Sequence, residues 1–226
     1  MSKKAVLSLL VCCLLAVAAS AGPTYQVNIT RVAGYYTGSG GEFTLSPTAA
    51  ARLSSPKSSN PIPGNPGPWQ TFCMETNEYI MPPYTAYMDI DTYAVGGRDL
   101  DLNGDGIKDA DSLDPRTAYL YTKFLNKTLI DYDYTPGGTR SASAGALQNA
   151  IWFIENEIGS VSGQAQIWVN KATDEVNSGR WLGLGSVRVA NLYTMSIRTE
   201  QQSHLIAVPA PGAILLAVLA SALPAG

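Results

Sequence analysis

WQTFCMETNEY, residues 69–79, is the stretch from which this chain is most usefully read. It follows SSPKSSNPIPGNPGP (54–68), whose five prolines and two glycines exclude helix and central strand and predict an exposed loop. The 69–79 stretch itself reads as a strand, so its side chains alternate between two faces. Phe72, Met74 and Ile80 share one face with Gln70, Thr76 and Glu78, and Cys73 shares the other with Trp69, Thr71, Glu75, Asn77 and Tyr79. Toward the N-terminus, Tyr25, Val27 and Ile29 alternate with polar neighbours, and 41–45 follows a turn at 37–40, which predicts a hairpin. Toward the C-terminus, YTAYMDIDTYAV (84–95) predicts a strand ending at Gly96 and Gly97.

Three helices follow. Asp114 and Pro115 open the first with an N-cap acid and a proline at the first helical position, and it runs to about Asn126 with Ala118, Tyr121 and Leu125 on one stripe. The second begins near Ser141 or Ser143, either of which can cap it, and carries the stripe Leu147, Ile151, Ile154 and Ile158. The third, about 162–177, carries Ala165, Trp168, Val169, Ala172 and Val176 and stops at Gly179. Strands at 187–193 and 204–208 close the chain. The expected fold is α+β, a β-sandwich or barrel with a helical subdomain on one side.

Residues 1–21 have the three parts of a secretory signal: Lys3 and Lys4, an apolar run from Ala5 to Val17, and Ala19-Ser20-Ala21. Export is therefore expected, and Cys12 and Cys13 leave with the signal. Cys73 remains as an unpaired cysteine in an oxidising compartment, where a disulfide is the usual fate. The signal also removes two of fifteen basic residues and none of eighteen acidic ones, leaving five net negative charges and no electrostatic case for nucleic acid. The globular part, 22–208, is about the size of one ordinary domain.

Gln148 lies beside the apolar stripe of the second helix, in line with Ala144 one turn before and Trp152 one turn after. A glutamine there is ordinarily a boundary residue, and a free cysteine ordinarily a small buried hydrophobe. Together they permit a different chemistry. A thiolate attacks the carboxamide, ammonia leaves, and the resulting thioester survives where bulky groups such as Trp152 or Phe72 exclude water. An incoming amine then displaces sulfur and forms an amide.

DLDLNGDGIKDADSLD (99–114) places Asp101, Asn103 and Asp105 at alternate positions, Gly106 at a sharp turn, the Ile107 carbonyl next and then Asp109. These are hard oxygen ligands in the order of a Ca²⁺ loop, with Asp111 or Asp114 as the closing ligand because Ser112 stands where an acid is usual. The plain alternative is a solvated acidic turn, although six carboxylates this close repel one another without a cation. The expected role of Ca²⁺ is structural.

The segments FCMETNE (72–78) and SASAGALQNAIW (141–152) resemble the signature of the bacterial thioester domain family of surface adhesins: an aromatic-Cys segment and a Gln-x-Ala-Ile-Trp segment. The resemblance implies a Cys73–Gln148 thioester that captures surface or matrix amines, such as protein lysines or amino sugars. Glu75 stands where the adhesins commonly have Asp, and Leu147 where they commonly have Thr. VPAPG (208–212) and the apolar run 213–223 resemble a PEP-CTERM sorting signal read by an exosortase, here without its basic cluster. That run is shorter than the ~20 residues that span a bilayer. A non-enzymatic surface or matrix protein is the expected function. The competing classes are a calcium-stabilised structural or carbohydrate-binding module with Cys73 as core, and a cysteine hydrolase pairing Cys73 with His204, the sole histidine.

Overall fold

The computed structural model describes residues 25–38, 40–48, 69–197 and 199–208; the expected signal peptide, the loop 54–68 and the tail 209–226 lie outside them. The strands are β1 (Tyr25–Thr30), β2 (Tyr36–Thr37), β3 (Gly40–Gly41), β4 (Phe43–Pro47), β5 (Trp69–Thr71), β6 (Tyr84–Asp91), β7 (Tyr93–Leu100), β8 (Ala110–Ser112), β9 (Val187–Tyr193) and β10 (Glu200–Ala207). The helices, α1 (Pro115–Leu125), α2 (Gly138–Ile154) and α3 (Gly163–Asn177), fall between β8 and β9.

Six strands form one antiparallel sheet in the order β10-β9-β6-β1-β4-β5. Its two ends meet. Beyond β5 the chain runs on beside β10, where Leu205 N–H donates to the Phe72 carbonyl (3.0 Å) and Met74 N–H to the Ser203 carbonyl (2.8 Å). Cys73 and His204 face each other between these bonds. The sheet is thereby a nearly closed barrel, and the fold is α+β as expected. The Tyr121 hydroxyl lies between the carbonyls of Gln70 (2.6 Å) and Leu205 (3.1 Å), tying α1 to this seam.

Alternation along the strands separates two cores. Val27, Ile29, Phe43, Leu45, Cys73 and Ile206 fill the barrel. Phe72, Met74, Val189 and Leu205 face outward and pack beneath the helices with Tyr121, Phe124, Ile151 and Trp168. Among the described residues no helix is long and apolar enough to cross a membrane.

Several expectations need correction. Pairing along 69–79 stops at Met74, because the Gln202 amide takes the Glu75 and Glu78 carbonyls (3.1 and 2.7 Å) and bends the chain away. Gly96 and Gly97 end no strand: the break falls at Thr92, and the glycines lie inside β7, which folds onto β8 with a register shift between Val95 and Leu100. Gly96 serves that irregularity with φ +86°. Helix α2 starts at Gly138 with Gly137 at its N-cap, and neither Ser141 nor Ser143 caps it. The Ser143 hydroxyl instead accepts from Asp133 N–H (3.1 Å). Ile158 lies past the end of α2, and Val176 is only half-buried. By contrast, Asp114 caps α1 by accepting from Arg116 N–H at 2.7 Å.

One buried ionic group ties β3 and β4 to α2. Glu42, between the two strands, has no exposed side-chain surface and accepts from Arg140 Nε and Nη2 (both 2.8 Å) and from the Tyr132 hydroxyl (2.6 Å). The Arg140 guanidinium also sits 3.7 Å from the Tyr35 ring centroid. Removing one partner of a buried pair leaves an uncompensated charge. Arg140→Ala is expected to lower stability by about 3–5 kcal/mol, measured by urea unfolding, with Glu42→Gln in the same background recovering part of the loss.

Candidate functional site

The two candidate residues come from opposite sides of the seam and meet inside it. Because Cys73 opposes His204 between the two seam hydrogen bonds, its own N–H and C=O point away from β10, toward the β4 side. The β4–β5 register, Phe43 with Thr71, would continue to Gly41 opposite Cys73. At Gly41, however, φ is +103° and the chain leaves the sheet to pair with Tyr36. The vacated edge of Cys73 is taken by the Gln148 carboxamide. Cys73 N–H donates to Gln148 Oε1 (3.3 Å), and Gln148 Nε2 donates to the Cys73 carbonyl (2.7 Å). The side-chain amide thus stands in for the missing strand. The same arrangement brings Cys73 Sγ to 3.3 Å from Gln148 Oε1, with both residues fully buried and the thiol free.

Close packing by glycine fixes this contact from above. A Cβ on Gly40 would fall 2.6 Å from Gln148 Cγ and 3.0 Å from Trp152 Cη2, and a Cβ on Gly145 would fall 2.3 Å from Thr37 Cγ2. The β2–β3 hairpin can therefore lie directly on α2. Between them opens a pocket of about 380 Å³ that reaches Gln148, with Thr37, Gly145, Asn149, Trp152 and Ser162 in its walls and, among the described residues, no charged side chain lining it.

Electrostatics inside the site favour neutral groups. Burial pushes the Cys73 thiol up to about 12, opposed chiefly by the Arg31 cation. Arg31 is held over the rings of Phe43 (4.0 Å) and Tyr36 (4.6 Å). The indole N–H of Trp152 has no acceptor in hydrogen-bond geometry, yet it is near enough to the sulfur to favour a thiolate. Burial lowers His204 to about 3, with Arg31 acting in the same direction. Both shifts run against a resting thiolate–imidazolium pair of the kind a cysteine hydrolase uses. Glu75, two residues from the thiol, is raised to about 8 by burial, although Ser203 N–H donates to it at 3.0 Å.

The acidic loop lies elsewhere, at the tip of β7–β8. Asp101 accepts from Gly104 N–H (2.6 Å) and Gly106 N–H (2.8 Å), which hold its carboxyl below the usual range. Asn103 accepts from Asp105 N–H, Asp105 from Ile107 N–H and Asp109 from Leu102 N–H. Asp111 lies on β8, where a Cβ on Gly97 would fall 2.2 Å from its Cγ, and Asp114 caps α1 and pairs with Arg116 (2.6 Å). Among the described residues no group of three or more His, Cys, Asp or Glu side chains is placed to hold a metal ion.

Sequence reading missed Gly40 and Arg31; it paired His204 with Cys73 only as a hydrolase candidate, and the structure does bring the two residues opposite each other. Only the glycine-rich run at 38–41 carried a local signal, and it reads as an ordinary turn. Gly40→Ala is expected to displace Gln148 from Cys73 while leaving the barrel folded; amide exchange at Cys73 N–H, faster in the variant than in the wild type, is the readout. A second expectation concerns pH. Glu75 and Glu155 are both raised by burial to about 8 from 4.5, so between pH 6.5 and 8 they hold protons in the fold that the unfolded chain has released. His204 opposes this only at the lower end of the window: it is neutral in the fold, and its unfolded imidazole, ordinarily near 6.5, is half-protonated at pH 6.5 and neutral by pH 8, less than the two carboxyls contribute. Stability should therefore fall as pH rises from 6.5 to 8, and Glu155→Gln should flatten the urea-midpoint profile by the contribution of about one proton.

In comparisons with known proteins, no protein-family model, curated protein or solved structure matches this chain.

Proposed function

We propose that this is an exported surface or matrix protein that bonds covalently to amines through an internal thioester between Cys73 and Gln148. The observation that carries this reading is the 3.3 Å contact of a free, fully buried thiol with a buried carboxamide. In the bond-forming step the Cys73 sulfur attacks Gln148 Cδ, the sulfur proton is transferred to the departing nitrogen, and ammonia leaves. Cys73 N–H, already aimed at Oε1, stabilises the negative charge that develops on that oxygen. In the capture step a primary amine attacks the same carbon, the C–S bond breaks, and the thiol recovers a proton from the amine. The pocket beside Trp152 gives the amine a route to Gln148, and the uncharged side chains among the described residues of its walls suit an amine that arrives without its proton. The resemblance of 72–78 and 141–152 to adhesin thioester domains points the same way. The PEP-CTERM-like tail adds an exosortase-type enzyme as a processing partner.

A second reading has its own support. The Gln148 amide satisfies both backbone groups of Cys73, which is reason enough to bury a glutamine in a structural module. In that module one Ca²⁺ held by Asp101, Asn103, Asp105, the Ile107 carbonyl, Asp109 and Asp111 would stiffen the β7–β8 tip, and carbohydrate binding rather than covalent capture would be its task.

Intact mass separates the two. The thioester protein is lighter than its sequence by one ammonia, gains one methylamine on treatment, and shows neither change in Cys73→Ala or Gln148→Ala. A wild-type mass equal to the sequence value, with Cys73 freely alkylated after denaturation, would overturn the covalent reading.

A further inference from the structure

We propose that His204 relays the proton of the Cys73 thiol to the departing Gln148 nitrogen as the thioester closes, a role that rests on the covalent reading above. His204 and Cys73 occupy directly opposite positions of an antiparallel pair, between the Phe72–Leu205 and Met74–Ser203 bonds. Side chains at such a position leave the same face of the sheet with their Cβ atoms about 4.5–5.5 Å apart. His204 is fully buried, and neither ring nitrogen has a hydrogen-bond partner. The Phe43 ring meets the imidazole edge-to-face at 4.8 Å, a contact that an apolar ring would make as well. Two unsatisfied nitrogens in a barrel core are a standing loss of stability that packing does not explain.

Chemistry supplies the explanation. Forming the sulfur–carbon bond requires the thiol to lose its proton, and breaking the carbon–nitrogen bond requires the nitrogen to gain one, since an amide anion is not a viable leaving group. One proton therefore moves from sulfur to nitrogen, ammonia is released, and no net charge is created. A neutral imidazole accepts at one nitrogen and donates from the other, so it carries out this transfer without leaving an ion in the barrel. Arg31, the nearby cation, holds its protons permanently and serves only to stabilise negative charge on sulfur.

The test starts from chains isolated in urea from inclusion bodies, with their mass first checked to equal the sequence value so that Gln148 still carries its amide. It follows ammonia loss by intact mass as they refold with a phosphine reductant, in wild type, His204→Phe and His204→Gln. Phenylalanine keeps the ring packing and removes both unpaired nitrogens; glutamine keeps a polar group of similar size without an imidazole. Ammonia loss slowed by about 100-fold in both variants, with the unfolding midpoint of His204→Phe at or above that of wild type, is the expected result. Wild-type kinetics in either folded variant would reduce His204 to a packing residue and overturn the relay. A wild-type chain that never loses ammonia would overturn the thioester and the relay together, an outcome visible in the control.

Discussion

Two hydrogen bonds at the seam, one on each side of Cys73, set the geometry of everything around it. They close the sheet by holding the chain beyond β5 against β10, and they fix which way each residue there must point. Phe72 and Met74 are sent outward to the helices, and Cys73 and His204 inward to the barrel. The backbone polar groups of Cys73 are turned toward an edge that β4 has already left. A helix side chain must then supply what a strand would have supplied, and Gln148 does so. The contact between thiol and carboxamide follows from satisfying the backbone.

The elements legible in the sequence were those with local causes. Asp114 and Pro115 set the start of α1, and the stripe from Ala165 to Ala172 set the buried face of α3. The start of α2 was misplaced because its N-cap is Gly137, in a conformation open to glycine, whereas the serines that looked like caps bond elsewhere. The glycines of β7 misled for the opposite reason, since they serve a register shift inside a strand. In the site, Cys73 and Gln148 were legible as a pair through their motif. Arg31 and Gly40 were not, and His204 was paired with Cys73 only because it is the sole histidine, since these placements depend on which strands become neighbours and no spacing within 69–79 or 141–152 encodes that.

Charge is distributed in the same economical way. The ion pair between Glu42 and Arg140 lies where the hairpin must be anchored to α2, and both Glu42 oxygens accept hydrogen bonds. The barrel interior around the thiol holds groups that burial keeps neutral: a thiol pushed up, an imidazole pushed down and, close by, a carboxyl that retains its proton past neutrality. Among the described residues Arg31 brings the charge closest to the thiol, and it lies over the rings of Phe43 and Tyr36. Cys73, Gln148 and His204 are all buried from solvent, the condition that the proposed thioester would need.

The hydrogen bond from Gln148 Nε2 to the Cys73 carbonyl has a consequence for what the site would retain. If the proposed thioester closes, expelling ammonia removes that donor and leaves a buried carbonyl bare. A captured primary amine becomes a secondary amide whose single N–H returns to the same place. A secondary amine yields an amide with no N–H, an alcohol yields an ester and water a carboxyl group, and the first two products have no hydrogen to offer the carbonyl. In the proposed capture reaction the backbone of Cys73 would act as a template that scores the product, favouring the nucleophile that restores the sheet edge.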